Sequence, residues 1–213
     1  MEKLSHDKFV RLDDLVSLLD TSESTVRRDL DELESERKLH RVHGGAELPH
    51  SLQEEFTNDD VVFVDAGTTN ELLLGYLSQD NLTVVTNSIH HAAKLVDKNI
   101  QTIIIGGHVK KSTDASIGAV AYEQIKQLNF DKAFLGINGI DEEFLTTPDM
   151  EEAVIKKTVI ENARKSYIVT DSSKIGRVSF AKVDKIENAT IITNQSSGAL
   201  MKKIKENTRV IEV

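Results

Sequence analysis

The sequence predicts a two-part α/β protein: an N-terminal winged helix-turn-helix, then an open, mostly parallel α/β domain. Three observations predict it. Composition changes near residue 47, where helical, highly charged sequence with few β-branched runs gives way to a different pattern. From Val61 onward, short Val/Ile-rich runs alternate with helical stretches, as buried strands of a helix-covered parallel sheet do. Small and polar residues then follow one run after another, as turns at one edge of such a sheet would.

The N-terminal elements come first. Leu12, Leu15, Val16 and Leu19 share one helical face, with Asp13 or Asp14 placed to cap its start. Asp20-Thr21-Ser22 breaks that pattern with turn-forming residues. Ser22 or Ser24 caps a second helix running to about Glu34, and Val26, Leu30 and Leu33 form its buried stripe. Thr25 and Arg28 point away from that stripe, with Arg27 on its flank. In Lys38–Ala46, alternation and the pair Gly44-Gly45 predict a β wing, with Arg41 and His43 near phosphates. Recognition helices read base edges through their first residues, where an arginine can grip guanine or phosphate. Spacing alone leaves two readings open: a DNA-reading helix-turn-helix, or an ordinary helix pair with solvated arginines.

Residues 47–60 are polar, contain a proline and show no apolar period, so they read as a linker. The predicted organisation is a helix-turn-helix over 1–46, a linker over 47–58 and a second domain over 59–213. In that domain the predicted strands are Val61–Val64, Leu82–Val85, Thr102–Ile105, Ala133–Leu135, Tyr167–Val169 and Ala189–Ile192. Helical patterns cover Glu71–Leu77, Ser88–Val96 and Glu151–Arg164.

The turns after these strands carry the chemistry. Asp65-Ala66-Gly67-Thr68-Thr69-Asn70 sits between a strand and a helix, which places Gly67, Thr68 and Thr69 where free backbone N–H groups favour an anion. It is not a Walker loop, because no Gly-Lys-Ser/Thr follows. Alone, it is equally explained by turn geometry and capping. Four more such turns follow: Thr86-Asn87-Ser88, Gly106-Gly107, Gly136-Ile137-Asn138-Gly139 and Asp171-Ser172-Ser173-Lys174. Five at one sheet edge are harder to explain by turn geometry, since open α/β sheets bind ligands beyond the carboxyl ends of their strands. Lys174 would supply a point charge for phosphate, and Asp65 and Asn87 partners for sugar hydroxyls.

Charge sets a boundary. The chain has 213 residues and a net charge of −9, from 26 Lys+Arg against 35 Asp+Glu, whereas nucleic-acid binding draws on basic groups. Any DNA-binding surface must therefore be a local ridge, and basic residues do concentrate at 27–28 and 37–41. The absence of cysteine excludes disulfides and thiolate metal sites and fits a reducing cytoplasm. No stretch reaches the ~18 apolar residues of a membrane helix, and Met1–Val10 lacks a signal-peptide core. The adjacent His90 and His91 cannot share a ligand face on a helix, so neither a metal nor another cofactor is expected. Glu151 and Glu152 at a helix start are accounted for by the helix dipole, with effector contact as the alternative.

The run Ser24-Thr25-Val26-Arg27-Arg28-Asp29-Leu30, with Leu33 and then Leu39-His40-Arg41-Val42-His43-Gly44-Gly45-Ala46, resembles the DNA-binding signature of the DeoR family of bacterial sugar-catabolism regulators. The resemblance implies that Ser24, Thr25, Arg27, Arg28, Arg41, His43 and Gly44 face double-stranded operator DNA. Segments Asp65–Thr69, Val85–Ser88, Ile105–Gly107, Asp131–Gly139, Thr146–Glu152 and Asp171–Lys174 resemble the same family's sensor domain, which looks like the ribose-5-phosphate isomerase fold. It implies a phosphorylated sugar effector held by Gly67, Thr68, Thr69 and Lys174, with Asp65, Asn87, Gly107 and Asn138 lining the rest. The segments Phe144–Glu152 and Ser172–Gly176 are most similar to fructose-operon repressors, which implies fructose 1-phosphate as inducer. The family usually has roughly two more helical segments before the first sensor strand.

The function expected is a cytoplasmic transcriptional repressor of a sugar-catabolism operon, a dimer or tetramer released from DNA by the phosphosugar. The alternative is a sugar-phosphate isomerase or deaminase-like enzyme with an appended DNA-binding domain. Related isomerases carry an acidic turn after the fourth strand. Here Gly136–Gly139 offers no acid before Asp141, which argues against catalysis. A constitutive DNA-binding protein with a vestigial sensor is a third reading.

Overall fold

The computed structural model describes residues 9–19, 21–35, 40–42, 45–47, 56–194 and 196–212. The chain divides into two compact units, Met1–Glu55 and Phe56–Val213.

In the first unit, strand β1 (Phe9–Arg11) leads into helix α1 (Leu12–Leu19), helix α2 (Glu23–Ser35) and strands β2 (His40–Val42) and β3 (Gly45–Glu47). β3 pairs antiparallel with both β1 and β2. Leu12 and Leu15 of α1 and Val26 and Leu30 of α2 are buried, the i, i+3 and i, i+4 stripes of two facing helices. Leu19, expected on the same face of α1, is exposed with Leu18 in the last turn. Ser22 rather than Ser24 caps α2: its hydroxyl accepts from the Thr25 N–H at 3.2 Å, and its carbonyl from the Val26 N–H at 3.1 Å. β1 is too short to leave a periodic signal.

The second unit is built on seven strands. They are β4 (Val61–Val64), β5 (Thr83–Thr86), β6 (Gln101–Ile104), β9 (Phe130–Gly136), β12 (Ala163–Val169), β14 (Thr190–Thr193) and β15 (Val210–Glu212). Their order across the sheet is β15-β14-β12-β9-β4-β5-β6, and every pairing is parallel. Helices α3 (Thr68–Leu73), α4 (Ile89–Asp97), α5 (Ala119–Ile125), α6 (Met150–Asn162) and α7 (Ala199–Asn207) fill the crossovers and precede β15. A hairpin of β7 (His108–Lys110) and β8 (Ala115–Ile117) leaves the sheet edge after β6. A small antiparallel sheet joins β11 (Phe144–Thr147) to β10 (Gly139–Ile140) and β13 (Ala181–Lys185).

Strand alternation divides the core. Phe63, Val85, Ala133, Leu135, Ile168 and Ile191 cluster with Ala121 and Ile125 of α5 and Ile155 and Val159 of α6. Their strand neighbours Val62, Val64, Phe134 and Tyr167, also buried, face the other side. There Phe56 stacks on Phe134, and Phe134 on Tyr167, with centroids 4.6 and 4.9 Å apart. Each such side chain contributes roughly 1.5–3 kcal/mol on leaving water. Phe56 lies inside the segment read as linker, yet it is 4 % exposed. Four residues on, Asp60 pairs with Lys132 at 2.5 Å. Burial pushes the Asp60 carboxyl up, but hydrogen bonds from Lys132 and Thr57 outweigh it and hold the group below its ordinary range.

Several predicted boundaries moved, most by one residue, and the run read as Ala133–Leu135 extends to Phe130–Gly136. Ala163 and Arg164, read as the end of a helix, begin β12. The helix expected over Glu71–Leu77 is Thr68–Leu73, and Leu72 points to solvent.

Candidate functional site

The sheet order decides where a ligand fits. From β4 the chain winds outward through β5 to β6, then returns to lay β9 against the other side of β4. Connections leaving β4 and β9 therefore run to opposite faces, and a crevice opens between their carboxyl ends. A cavity of about 180 Å³ lies there. Asp65, Gly67, Thr68 and Thr69 from the turn after β4 line it, with Asn87 after β5, Asn138 after β9 and Lys174 after β12. Seven of the eight effector residues expected from sequence are thus brought to one cavity.

Gly107 is not among the residues lining it. Its φ of +149° and its fit explain the glycine differently: a Cβ there would stand 2.8 Å from the Ile117 carbonyl oxygen and 3.2 Å from the Ala121 Cβ. Gly107 serves the close approach of the β7–β8 hairpin and α5, a correction to its expected lining role.

Gly67 is different, because nothing lies within 4 Å of where its Cβ would be, and only its φ of +136° demands glycine. That conformation turns the chain into α3, whose first N–H groups have no partner within the helix. Asp65 organises the floor beneath. Its Oδ2 accepts from the Gly136 N–H at 3.1 Å and from Lys156 Nζ, and its Oδ1 from Asn87 Nδ2 at 3.2 Å. Asn87 Oδ1 in turn accepts from the Ala66 N–H at 2.9 Å. The ends of β4, β5 and β9 and helix α6 are thereby tied together through one carboxylate. Asn70 donates to the Asp65 carbonyl at 3.0 Å, while its Oδ1 is buried without a partner. His91, 2 % exposed, also leaves Nδ1 unpartnered. Burial lowers its pKa against the opposing pull of Asp65 and Glu71.

The hairpin joins the cavity wall through Thr113 and Lys110. Thr113 lines the cavity, and Lys110 Nζ donates to Asp149 Oδ2 at 2.7 Å and Glu152 Oε1 at 2.9 Å. Those two bonds raise the Lys110 pKa, and the Lys110 bond lowers that of Asp149. At the opposite rim, the Ser173 hydroxyl holds Asp171 below its ordinary carboxylate range.

Sequence reasoning missed Asn70, Thr113, Thr170, Asp171 and Lys156 as lining residues, and set Glu152 aside. A signal existed for two of them. Glu152 and Lys156 stand four apart beside Ala153, Ile155 and Val159, so a buried face of that helix must carry charge.

In the first unit, Ser24, Thr25, Arg27 and Arg28 occupy the first two turns of α2. The Ser22 hydroxyl lies 2.9 Å from the hydroxyls of both Ser24 and Thr25. Arg27 Nε donates to Glu23 Oε1 at 2.9 Å, a pair within the helix. The Arg28 side chain is 78 % exposed, 3.8 Å from Asp29. Arg41 lies on β2, with its side chain outside the described residues, as are His43 and Gly44.

Comparison with known proteins agrees with both units. The DeoR-like helix-turn-helix domain matches residues 1–52, and the DeoR C-terminal sensor domain matches residues 50–195. The chain belongs to the DeoR family of transcriptional regulators. It is 34 % identical to the uncharacterized HTH-type transcriptional regulator FruR of Bacillus subtilis, over 99 % of this chain and 94 % of that one. That alignment runs 236 positions, so the relative carries positions with no counterpart among these 213 residues. Identity is 32 % to the glycerol-3-phosphate regulon repressor of Escherichia coli, over 83 % and 81 % of the two chains. It is 29 % to the lactose phosphotransferase system repressor of Streptococcus mutans, over 95 % and 92 %. All are named as regulators or repressors, and the chain is a regulator rather than an enzyme. Among solved structures, ribose 5-phosphate isomerase from Plasmodium falciparum matches at 16 % identity and a TM-score of 0.43, over 59 % of this chain. The chain spans about half the length of that structure, 49 %. No described helix is long and apolar enough to cross a membrane.

Proposed function

We propose that this regulator represses a sugar-catabolism operon in the cytoplasm and leaves its operator when a phosphorylated sugar, fructose 1-phosphate, fills the cavity between β4 and β9. One observation carries the reading: the Gly67-Thr68-Thr69 turn and Lys174 share a single cavity with Asp65, Asn87 and Asn138. The first group supplies donors and positive charge for a phosphate, the second supplies partners for hydroxyls. The resemblance of Phe144–Glu152 and Ser172–Gly176 to fructose-operon repressors supports fructose 1-phosphate, and the names of the glycerol-3-phosphate and lactose repressors support a phosphosugar or related metabolite in general.

Ser24, Thr25, Arg27, Arg28, Arg41, His43 and Gly44 form the DNA-reading surface in this account. The exposure of Arg28 near the start of α2 supports a base-reading role there. A homodimer or tetramer would present two such helices to paired half-sites. For the effector to switch the protein, it must bind the DNA-free state more tightly than the DNA-bound state. A thermal-shift screen of phosphosugars tests the reading. Fructose 1-phosphate should raise the melting temperature by mass action, and a panel without any shift would remove the sensor assignment.

A further inference from the structure

The residues assigned to the phosphate leave two buried charges in the cavity wall without a role. Glu152 and Lys156 are 8 % and 6 % exposed, and both line the cavity. They stand four apart on α6, so they share one face of that helix. Apolar side chains of similar volume would pack there at lower cost, since burying two charges loses their hydration.

Their hydrogen bonding is incomplete in a specific way. Glu152 Oε1 accepts from Lys110 and from the Thr113 hydroxyl at 3.3 Å. Glu152 Oε2 has the Thr147 hydroxyl at 3.4 Å, but that hydroxyl lies closer to Asn138 Oδ1, at 3.0 Å. A hydroxyl carries one proton, so Oε2 is left with an open acceptor position. The Lys156 ammonium has three donors, one of them directed to Asp65. Asn70 Oδ1, on the same cavity wall, is a buried acceptor with no donor.

This end of the cavity therefore offers open acceptors beside spare donors. A phosphate dianion fits it badly, because Asp65 and Glu152 would repel it. A hydroxyl fits it well, because it donates and accepts at once. We propose that Glu152 and Lys156 form the subsite that selects the effector by its hydroxyls: a hydroxyl donates to Glu152 Oε2 and accepts from Lys156 Nζ. The proposal rests on the phosphosugar reading of the same cavity and assigns its far end to polyol recognition. A site built to bond hydroxyls rejects ligands that lack them, since its buried polar groups then stay unpaired.

The test is calorimetry on the full chain with fructose 1-phosphate, fructose 6-phosphate, glycerol 3-phosphate and inorganic phosphate. Wild type is compared with Glu152→Gln and Lys156→Met. The preference for the tightest sugar phosphate over inorganic phosphate should fall about tenfold or more in each variant. If Lys156→Met does not fold, Glu152→Gln alone carries the comparison. An unchanged preference, with a sugar phosphate bound well by wild type, overturns the subsite. A wild type that binds no sugar phosphate better than inorganic phosphate overturns the sensor reading, and the subsite with it.

Discussion

Lys156 and Asp65 form an ion pair whose side chains are 8 % and 2 % exposed, joining α6 to the end of β4 across the cavity floor. Asp65 also accepts from Gly136 and Asn87, so its carboxylate keeps hydrogen bonds when the lysine is removed. The ammonium has no such reserve. Asp65→Asn should therefore cost more stability than Lys156→Met, with losses approaching the roughly 3–5 kcal/mol of a broken buried pair. Urea denaturation of both variants checks the order, and equal losses would contradict it.

Gly107→Ala separates a packing role from a lining role. The added Cβ meets the Ile117 carbonyl oxygen at a positive φ, so a loss of about 1–3 kcal/mol is expected. Effector affinity measured on the folded variant should match wild type. A selective loss of effector binding with normal stability would return Gly107 to the site.

Arg28→Ala should weaken operator binding by about 1–3 kcal/mol if Arg28 reads a base. The side chain is largely exposed, so the melting temperature should hold. A mobility-shift titration reads the affinity, and superimposable curves would take Arg28 off the DNA surface.

Acid should weaken the second unit in two stages. His91 has a folded-state pKa lowered by burial from 6.5, so its neutral form is the one the fold accommodates. Stability it supports is present above its unfolded value and is lost as pH falls below about 6.5 toward the folded value. Asp60 and Asp149 are also lowered, from 3.8, so their contribution goes only as pH falls below about 4. Melting temperatures across pH 7 to 3 should show both stages, and His91→Gln should flatten the first. A first stage that survives in His91→Gln would assign it to another group.

The alternating runs made six of the seven strands legible, because the apolar stretches of β4, β5, β9 and β12 are buried on both faces, whereas β15, three residues long and only partly buried, left no such run. The same runs located the turns, and with them Asp65, Asn87, Asn138 and Lys174. The hidden part of the site came from α6. Apolar residues at 153, 154 and 155 obscure the spacing of Glu152 and Lys156 that marks its inward face, and Val154 proved exposed while Lys156 was buried. The hairpin of β7 and β8 was equally illegible, since strands of three residues carry too little alternation. Gly107 misled because a glycine after a strand serves a ligand or a close packing contact alike.

A phosphosugar in the cavity should release DNA. Fluorescence anisotropy of labelled operator bound to wild type and to Lys174→Ala, titrated with fructose 1-phosphate, tests it most directly. Wild type should release operator, and the dose response of Lys174→Ala should shift to higher concentration, with both proteins binding operator equally before titration. Coincident dose responses, or operator that stays bound to wild type at saturating sugar phosphate, would contradict it.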